Sequence, residues 1–348
     1  IKKNTGSKTC GTDKLTIRDI GKCSPDEVVE KVRFIVNGSE HGYRPKPVRR
    51  KEIPKPYDPS KTRPLGIPCI WDRLIQQCIK QVMEPVCEAK FSENSYGFRP
   101  NHSVENAIAR SYKLLQQANL HYVIEFDIKG FFDHMEHEWI IRFIESKIKD
   151  QNVIRLVRRM LKAGIMKDYQ YEDTEEGSGQ GSIYSPIISC IYMHYVLVWW
   201  FKEVVQPKLR GYAGLVVYAD DFVVCFQYKS DAEQFYERLK HRMGYFGLSL
   251  EEDKSRLIEF GRFAQERCAK KGTKPETFTF LGFTHYCSKG RNGKFRVKRK
   301  TSKKKFAKKC KEVHRLIGSM RTLTIKEITS RLNPVSYTHL TLPTKLEV

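Results

Sequence analysis

The sequence predicts an α+β fold in which helices are mixed with antiparallel strands. Apolar residues recur at helical spacing over residues 70–82, and again behind Ser103. From residue 122 to 127 the apolar period changes to two, as in a strand with two different faces. Residues 215–226 and 277–297 predict two hairpins, the second because Asn292-Gly293 is a strong two-residue turn signal.

The composition describes a folded, strongly basic protein. The chain has 348 residues, long enough for two domains, and 63 Lys and Arg against 40 Asp and Glu give a net charge of +23. Hydrophobic residues make up 40% and aromatic residues 11%, which excludes a disordered basic tail. So much positive charge predicts a polyanionic partner.

The cysteine and terminal patterns exclude several other classes of protein. Ten cysteines show no metal-ligand spacing, so we expect neither a zinc site nor a disulfide scaffold, and a reducing compartment. The chain lacks both an initiator Met and an apolar leader, which predicts a missing start and no signal peptide. Residues 178–201 carry no charge, but polar residues and Pro186 interrupt them. We therefore expect a buried helix capped by Ser185, and no membrane span.

Four further patterns give local expectations. Prolines in residues 1–60 predict extended segments and loops, and Pro85 should interrupt the helix that starts near residue 70. Asp231 is expected to cap a helix. Residues 294–315 predict a basic amphipathic helix, packed on one side and cationic on the other.

Three acidic residues are the strongest candidates for chemistry. Asp127 ends a predicted strand, while Asp220 and Asp221 occupy the predicted hairpin turn 93 residues later, since 220 − 127 = 93. Acids in turns commonly accept backbone N–H groups, which is the structural alternative. Here apolar residues bracket the turn, and adjacent carboxylates repel each other unless a divalent cation lies between them. If the two strands pair, the acids converge as a two-metal phosphoryl-transfer site requires.

Several motifs occur around these acids in a fixed order. Residues 61–68 read KTRPLGIP, residues 95–100 read SYGFRP, residues 127–133 read DIKGFFD, residues 218–221 read YADD and residues 280–283 read FLGF. In this order the motifs resemble those of the reverse transcriptases encoded within group II introns, also called intron maturases. The resemblance extends to about Pro334.

The resemblance implies a right-hand polymerase with largely helical fingers and an antiparallel-sheet palm with a ferredoxin-like core. Fingers are expected in residues 1–120, where residues 1–60 hold an N-terminal extension and a basic Pro-rich segment. The palm is expected in 121–297 and the start of a thumb in 298–335. Residues 336–348 match nothing in the family and show no helical period, which predicts a truncated or foreign end.

The resemblance also assigns roles to single residues. Asp127, Asp220 and Asp221, with the backbone carbonyl of Ile128, would hold two Mg²⁺ ions, for which Mn²⁺ could substitute. Lys254 would protonate the leaving pyrophosphate. The incoming dNTP would be bound by Lys61, Arg63, Ile128, Phe132 and Gln180, with Phe132 as the steric gate against a ribose 2′-OH. Primer and template contacts are expected at Leu281, Gly282, Phe283, Lys298, Arg299 and Lys300.

The implied function is an RNA-directed DNA polymerase, a nucleotidyltransferase that copies RNA into cDNA and also binds intron RNA as a splicing maturase. Its partners would be an RNA template, a DNA primer, intron RNA and dNTPs, with no membrane partner. One alternative is an RNA-binding splicing cofactor without essential polymerase activity. Another is a retron-type or defence-associated reverse transcriptase. The expected location is the bacterial cytoplasm, with an organelle as the alternative.

Two imidazoles, His134 and His137, lack a third ligand at zinc-site spacing, so no zinc site is expected.

Overall fold

The computed structural model describes residues 5–37, 42–55, 58–117, 120–253 and 255–340. The chain forms two compact units, Ile1–Leu257 and Ile258–Val348. The domain boundaries predicted after residues 120, 297 and 335 stay predictions. Within the described ranges, no helix combines the length and the apolar character needed to cross a membrane. All ten cysteines are free.

The helices follow the predicted periodicity over most of the chain. In chain order the α-helices are α1 (Ile17–Ile20), α2 (Pro25–Asn37), α3 (Ile70–Glu88), α4 (Val104–Gln117), α5 (His137–Glu145), α6 (Gln151–Leu161), α7 (Ser185–Met193), α8 (Lys229–Tyr245), α9 (Ala264–Lys270), α10 (Lys303–Ser319) and α11 (Ile325–Leu340). Residues 194–198 and 201–205 continue beyond α7 as π-helical turns.

The strands form three sheets in the described part of the chain. The strands are β1 (Val48–Lys55), β2 (Asp58–Ile67), β3 (Tyr122–Phe126), β4 (Ile165–Lys167), β5 (Gln170–Glu172), β6 (Ala213–Tyr218), β7 (Asp221–Phe226), β8 (Arg256–Glu259), β9 (Phe278–Phe280), β10 (Phe283–Lys289) and β11 (Phe295–Thr301). The strand orders are β2-β1-β4-β5, β6-β7-β3-β8 and β11-β10-β9. This mixture of helices and mainly antiparallel sheets confirms the α+β class.

The sheet β6-β7-β3-β8 positions the predicted acids. Both β3 and β6 pair with β7 in antiparallel register, with Tyr122 opposite Phe226 and Ala213 also opposite Phe226. Helix α8 packs against β3 and β7, and α4 packs against β6 and β7. The rings of Phe126 and Phe222 stack with centroids 4.9 Å apart, next to the buried ring of Phe235 from α8. Burial of these large apolar side chains fixes the strand ends.

Three predictions in the first unit are wrong in part. Residues 1–60 hold the extended strand β1 and the start of β2, as predicted, but also the helices α1 and α2. The start of α2 is capped reciprocally: Ser24 N–H donates to Glu27 Oε2 at 2.7 Å, and Glu27 N–H donates to Ser24 Oγ at 3.3 Å. Helix α3 continues through Pro85 to Glu88. Asp231 lies inside α8, where its buried carboxylate accepts the N–H of Gly211 at 3.0 Å.

Ser185 is the first residue of α7 and does not cap it, because Tyr184 occupies the cap position. Pro186 does lie in the first turn of this helix, as predicted. The Ser185 hydroxyl instead donates to the carbonyl oxygens of Ser178 and Gly179, in the loop before the helix.

Two expectations for the second unit are also wrong. Residues 295–301 form strand β11, so the basic segment is helical only from Lys303. Helix α10 buries none of its residues, and Phe306 and Ile317 are exposed, so the predicted packed face is absent from it. The backbone of α11 stays helical to Leu340, inside the segment expected to lack a helical period.

Candidate active site

The three predicted acids lie together at one end of two neighbouring strands. Pairing of β3 with β7 ends at Phe126 and Phe222. Asp127 directly follows the last paired residue of β3, and Asp221 directly precedes that of β7. Asp220 lies in the turn that joins β6 to β7, residues 218–221, which we call the acid turn. The structure therefore brings together acids from distant parts of the sequence.

The electrostatics of Asp220 reflect this proximity. Burial is the main cause that raises the pKa of Asp220, and the charge of Asp127 raises this pKa further. Carboxylate oxygens are the ligands that hard divalent cations prefer. Among the described residues, however, no three His, Cys, Asp or Glu side chains already form a ligand set for a metal ion. The acids thus fit a metal by donor type and proximity, and their carboxylates would have to turn toward the ion.

The backbone of Ile128 points toward the acid turn. The N–H of Glu251 donates to the carbonyl oxygen of Asp127 at 2.8 Å. The N–H of Lys129 donates to the carbonyl oxygen of Ser249 at 2.9 Å. Because successive peptide groups of a strand point to opposite sides, the carbonyl of Ile128 faces the other edge of β3, where β7 lies. This orientation agrees with the metal-ligand role expected for that carbonyl.

A segment that precedes α4 braces the acid turn. The N–H of Tyr96 donates to the carbonyl oxygen of Val217 at 2.8 Å, and the N–H of Val217 donates to that of Asn94 at 2.9 Å. Gly97 packs so tightly that a Cβ there would lie 2.1 Å from the backbone nitrogen of Ala219. Ala219 has a φ of 56°, in the left-handed region. The motif around Gly97 therefore supports the turn that carries the acids.

The two phenylalanines after Asp127 take different positions. Gly130, with a φ of 54°, ends the extended backbone, and residues 131–133 form a 3-10 turn, so strand alternation does not decide which ring faces the site. Phe131 is buried in the core, whereas Phe132 is only partly buried. The ring of Phe132 lies edge-on to that of Phe98, with centroids 6.4 Å apart. The structure thus separates a core residue from the predicted gate.

Phe98 lies beside the predicted gate, and the sequence analysis missed it. Its side chain is 46% exposed, and its φ of 58° is unusual for an aromatic residue. The available signal was its place in the SYGFRP motif, one position after the glycine that contacts the acid turn. Apolar periodicity gave no indication, because the residue belongs to neither a helix nor a strand.

Gln180 lies in a loop held between two other parts of the site. The N–H of Gly66, near the end of β2, donates to the carbonyl oxygen of Gln180 at 2.6 Å. On the other side, the N–H of Ser178 donates to the carbonyl oxygen of Phe132 at 3.0 Å. The loop therefore connects the strand that carries Arg63 with the segment that carries the predicted gate.

A cavity of about 370 Å³ lies beside this loop. Its lining includes residues 177–180, the charged residues Asp133 and Arg50, and the apolar residues Met160 and Leu161. None of the three acids lines this cavity. It is therefore adjacent to Gln180 without being the site of the acids.

The remaining dNTP and catalytic candidates are only partly described. Arg63 is exposed on β2, opposite Ile53 of β1. The side chain of Lys61 and all of Lys254 lie outside the described residues. For these two lysines the roles implied by the resemblance stay predictions.

The predicted primer and template residues come together within the second unit. Leu281 and Gly282 form the turn between β9 and β10, with φ angles of 50° and 82°. The N–H of Ser302 donates to the carbonyl oxygen of Gly282 at 3.0 Å, so the turn is tied to the end of β11. Phe283 begins β10. Lys298, Arg299 and Lys300 lie on β11, where both lysines are exposed and Arg299 is opposite His285.

Comparison with known proteins places the chain among nucleic-acid polymerases. The family described as reverse transcriptase (RNA-dependent DNA polymerase) matches residues 53–285. The chain is 39% identical over 182 residues to the group II intron-encoded protein LtrA of Lactococcus lactis, a match that covers 52% of this chain and 29% of LtrA. It is 29% identical over 286 residues to protein YkfC of Escherichia coli, covering 73% of this chain and 71% of YkfC.

The fold is also found in solved structures. Apo telomerase from Candida tropicalis, truncated from the C-terminal domain, superimposes with a TM-score of 0.54 at 16% identity. The superposition covers 82% of this chain and 61% of that chain. At this identity the likeness concerns the fold, and it agrees with a right-hand polymerase. Since the family match spans the acids, the Gln180 loop and the strands that carry them, the chain belongs to the reverse transcriptase (RNA-dependent DNA polymerase) family.

Proposed function

We propose that this chain is the polymerase part of a group II intron-encoded reverse transcriptase, which copies RNA into DNA by two-metal nucleotidyl transfer. The observation that carries the proposal is the meeting of Asp127, Asp220 and Asp221 at the ends of β3 and β7. Because the chain spans only 29% of the length of LtrA, the activity of the whole protein is part of the proposal.

The acids would hold two Mg²⁺ ions, with Mn²⁺ as a substitute, and the carbonyl of Ile128 would complete one metal shell. When bound, the ions would lower the pKa of the primer 3′-OH and neutralise charge on the triphosphate. The donor set supports this role, because it consists of oxygen atoms and includes a carboxyl group whose pKa is raised by burial and by a second carboxylate.

The surrounding residues would orient the nucleotide. The ring of Phe132, partly exposed beside Phe98, would leave no room for a ribose 2′-OH. Gln180 would contact the nucleotide from its loop, and the cations Lys61 and Arg63 would bind the triphosphate on the side away from the metals. Lys254 would donate the proton that pyrophosphate takes up on leaving.

The second unit supplies a surface suited to nucleic acid. Lys298 and Lys300 project from β11, and helix α10 adds lysines that no packing contact buries. Phosphate contacts from such residues bind a template–primer duplex without reading its sequence.

We assign residues 1–120 to fingers, 121–297 to palm and 298–335 to the start of a thumb. We place the protein in the bacterial cytoplasm.

Primer extension tests the proposal. The chain is incubated with poly(rA)/oligo(dT), dTTP and Mg²⁺, and incorporation is compared with that of Asp220→Asn. We expect incorporation by the unaltered chain, none by the variant, and none by either protein after chelation of the metal. Absence of incorporation by the unaltered chain with both Mg²⁺ and Mn²⁺ would count against the proposal.

A second candidate function is binding of intron RNA to assist splicing. The net charge of +23 favours it, and so does the description of the LtrA relative as intron-encoded. A splicing assay with the flanking intron RNA separates the two functions. Asp220→Asn is expected to assist splicing as well as the unaltered chain does, since the carboxylate that it removes would bind metal and not phosphate. No effect of either protein on splicing would exclude this second function.

A further inference from the structure

His137 fixes one end of the loop that carries Gln180. Its side chain is buried, and its Nε2 lies 2.8 Å from the carbonyl oxygen of Gly177. Next to this contact, the N–H of Gly177 donates to the carbonyl oxygen of Met135 at 2.8 Å. Two hydrogen bonds of Gly177, one through its carbonyl oxygen and one through its N–H, therefore join the start of the loop to the segment that follows Phe132.

The chemistry of the contact defines the state of the ring. A carbonyl oxygen only accepts, so Nε2 must carry the proton. Burial is the main cause that lowers the pKa of His137, so the ring is neutral with Nδ1 unprotonated. Nδ1 is buried and has no hydrogen-bonding partner among the described residues. The arrangement therefore uses His137 as a single, directed N–H donor.

The same loop is fixed at its other end by different residues. The carbonyl oxygen of Gln180 accepts the N–H of Gly66 at 2.6 Å. The N–H of Ile183 donates to Oε1 of the buried Gln76 at 3.0 Å. Gln180 thus lies between two fixed points, and among the hydrogen bonds of the described residues it is the His137 end that is attached to the gate segment, residues 132–135.

We propose that His137 is a positioning residue for nucleotide selection. Its Nε2–H holds Gly177, and the adjacent Ser178–Phe132 hydrogen bond then sets the distance between the Gln180 loop and the gate. The contact of Gln180 with the nucleotide and the contact of Phe132 with its sugar would thereby be held at a fixed distance from each other. This inference rests on the proposed polymerase function, because it assigns a nucleotide to the space between Gln180 and Phe132.

Two variants of matched shape test the role of the donor. In His137→Gln the amide nitrogen reaches about the position of Nε2 and keeps an N–H, whereas His137→Met has a similar length and no donor. Steady-state incorporation is measured with dTTP and with UTP on an RNA template and DNA primer. For His137→Met we expect KM for dTTP to rise about tenfold, because one hydrogen bond to a buried carbonyl is lost. We also expect the preference for dTTP over UTP to fall.

For His137→Gln, KM and the preference should stay within about twofold of the unaltered chain, since the donor is kept. Template–primer affinity should be unchanged in both variants, because the imidazole is buried and its lowered pKa leaves it without a charge that could bind phosphate. Equal loss of kcat in both variants, with no change in KM or in the preference, would show a merely structural role and overturn the proposal. A change in KM with an unchanged preference would overturn the coupling of the loop to the gate.

Amide hydrogen exchange keeps the inference separate from the proposed function. If the unaltered chain incorporates no nucleotide, the polymerase proposal fails, yet exchange at the amides of Gly177 and Ser178 still reports how the loop is held. Faster exchange in His137→Met than in His137→Gln would support a donor that fixes the loop. Equal exchange in the two variants would contradict it.

Discussion

The turn that carries Asp220 and the loop that carries Gln180 both lie beside the segment 127–133, and different contacts hold them. The acid turn joins two buried strands and is pressed against Gly97, with no space for even one added carbon atom. The Gln180 loop is closely packed too, since a Cβ at Gly181 would lie 2.4 Å from the carbonyl oxygen of Gly66, but side-chain donors also hold it, the imidazole of His137 and the hydroxyl of Ser185. Backbone pairing and packing set the position of the acids, whereas the loop depends in addition on single side-chain hydrogen bonds.

This difference has energetic consequences. Displacing packed backbone costs about 1–3 kcal/mol or more, because a close-packed interior relaxes poorly. Loss of one hydrogen bond costs about 1 kcal/mol and leaves the rest of the network in place. We therefore expect changes at the acid turn to abolish activity or folding, and changes at the loop to shift KM.

The largest effect is expected from the acids themselves. Asp127→Asn should reduce primer extension about a thousandfold or more, because a metal ligand supplies several kcal/mol of transition-state stabilisation. Rates of dNTP incorporation measure it. Glu237→Gln, on the exposed face of α8, removes the same charge away from the site and should leave the rate unchanged. Activity of Asp127→Asn near the unaltered level would mean that the acid turn is not the metal site.

A smaller effect is expected from the brace of the turn. In Gly97→Ala the new Cβ would meet backbone atoms of Ala219 at 2.1 and 2.8 Å, so the turn must move. We expect a loss of about 2–3 kcal/mol in the free energy of unfolding and a marked loss of incorporation. Denaturant unfolding and primer extension measure the two effects.

Gly244 provides the matched control for the brace. A Cβ at this position in α8 meets nothing within 4 Å. Gly244→Ala should therefore keep activity and raise stability by up to about 1 kcal/mol, since alanine favours helix. Similar destabilisation of both variants would show that Gly97 has no special steric role.

The smallest effect is expected from the loop. Ser185→Ala removes the hydroxyl that donates to the carbonyl oxygens of Ser178 and Gly179, and we expect KM for the dNTP to rise about fivefold with little change in kcat. Steady-state kinetics at varied dNTP concentration measure it.

Ser189→Ala is the control for the loop, because Ser189 lies one turn further along α7 and donates to the carbonyl oxygen of Pro186 instead. Its KM should not change. If Ser185→Ala abolishes activity as completely as Asp127→Asn, the loop is held as rigidly as the acid turn, and the contrast between the two regions is lost.

The parts of the site with a local signal could be predicted from the sequence. Alternating apolar residues predict β3, β6 and β7, and the acids stand at their ends, so pairing alone brings them together. The brace at Gly97 had no such signal, because it depends on a contact between segments more than one hundred positions apart. His137 could not be recognised either, since its partner is a backbone carbonyl that any residue provides.

Errors in the fold have similar causes. The cap of α2 is visible in the sequence as Ser24 with Glu27 three positions later, but the prolines of residues 1–60 favour loops and extended backbone over a helix. Asp231 has the sequence signature of a helix cap, and only the tertiary contact with Gly211 explains its burial inside α8. For α10, apolar spacing predicts a packed face, but spacing alone does not supply an element to pack against.

The brace at residues 94–97 also protects the sheet from self-association. Strand β6 stands at the outer position of its sheet, where unpaired backbone groups can recruit a strand of another molecule. Ser95 forms a parallel bridge to Val217 at that position. A chain in which this segment detaches would expose a template for aggregation, so the residues that steady the acids also help to keep the molecules apart.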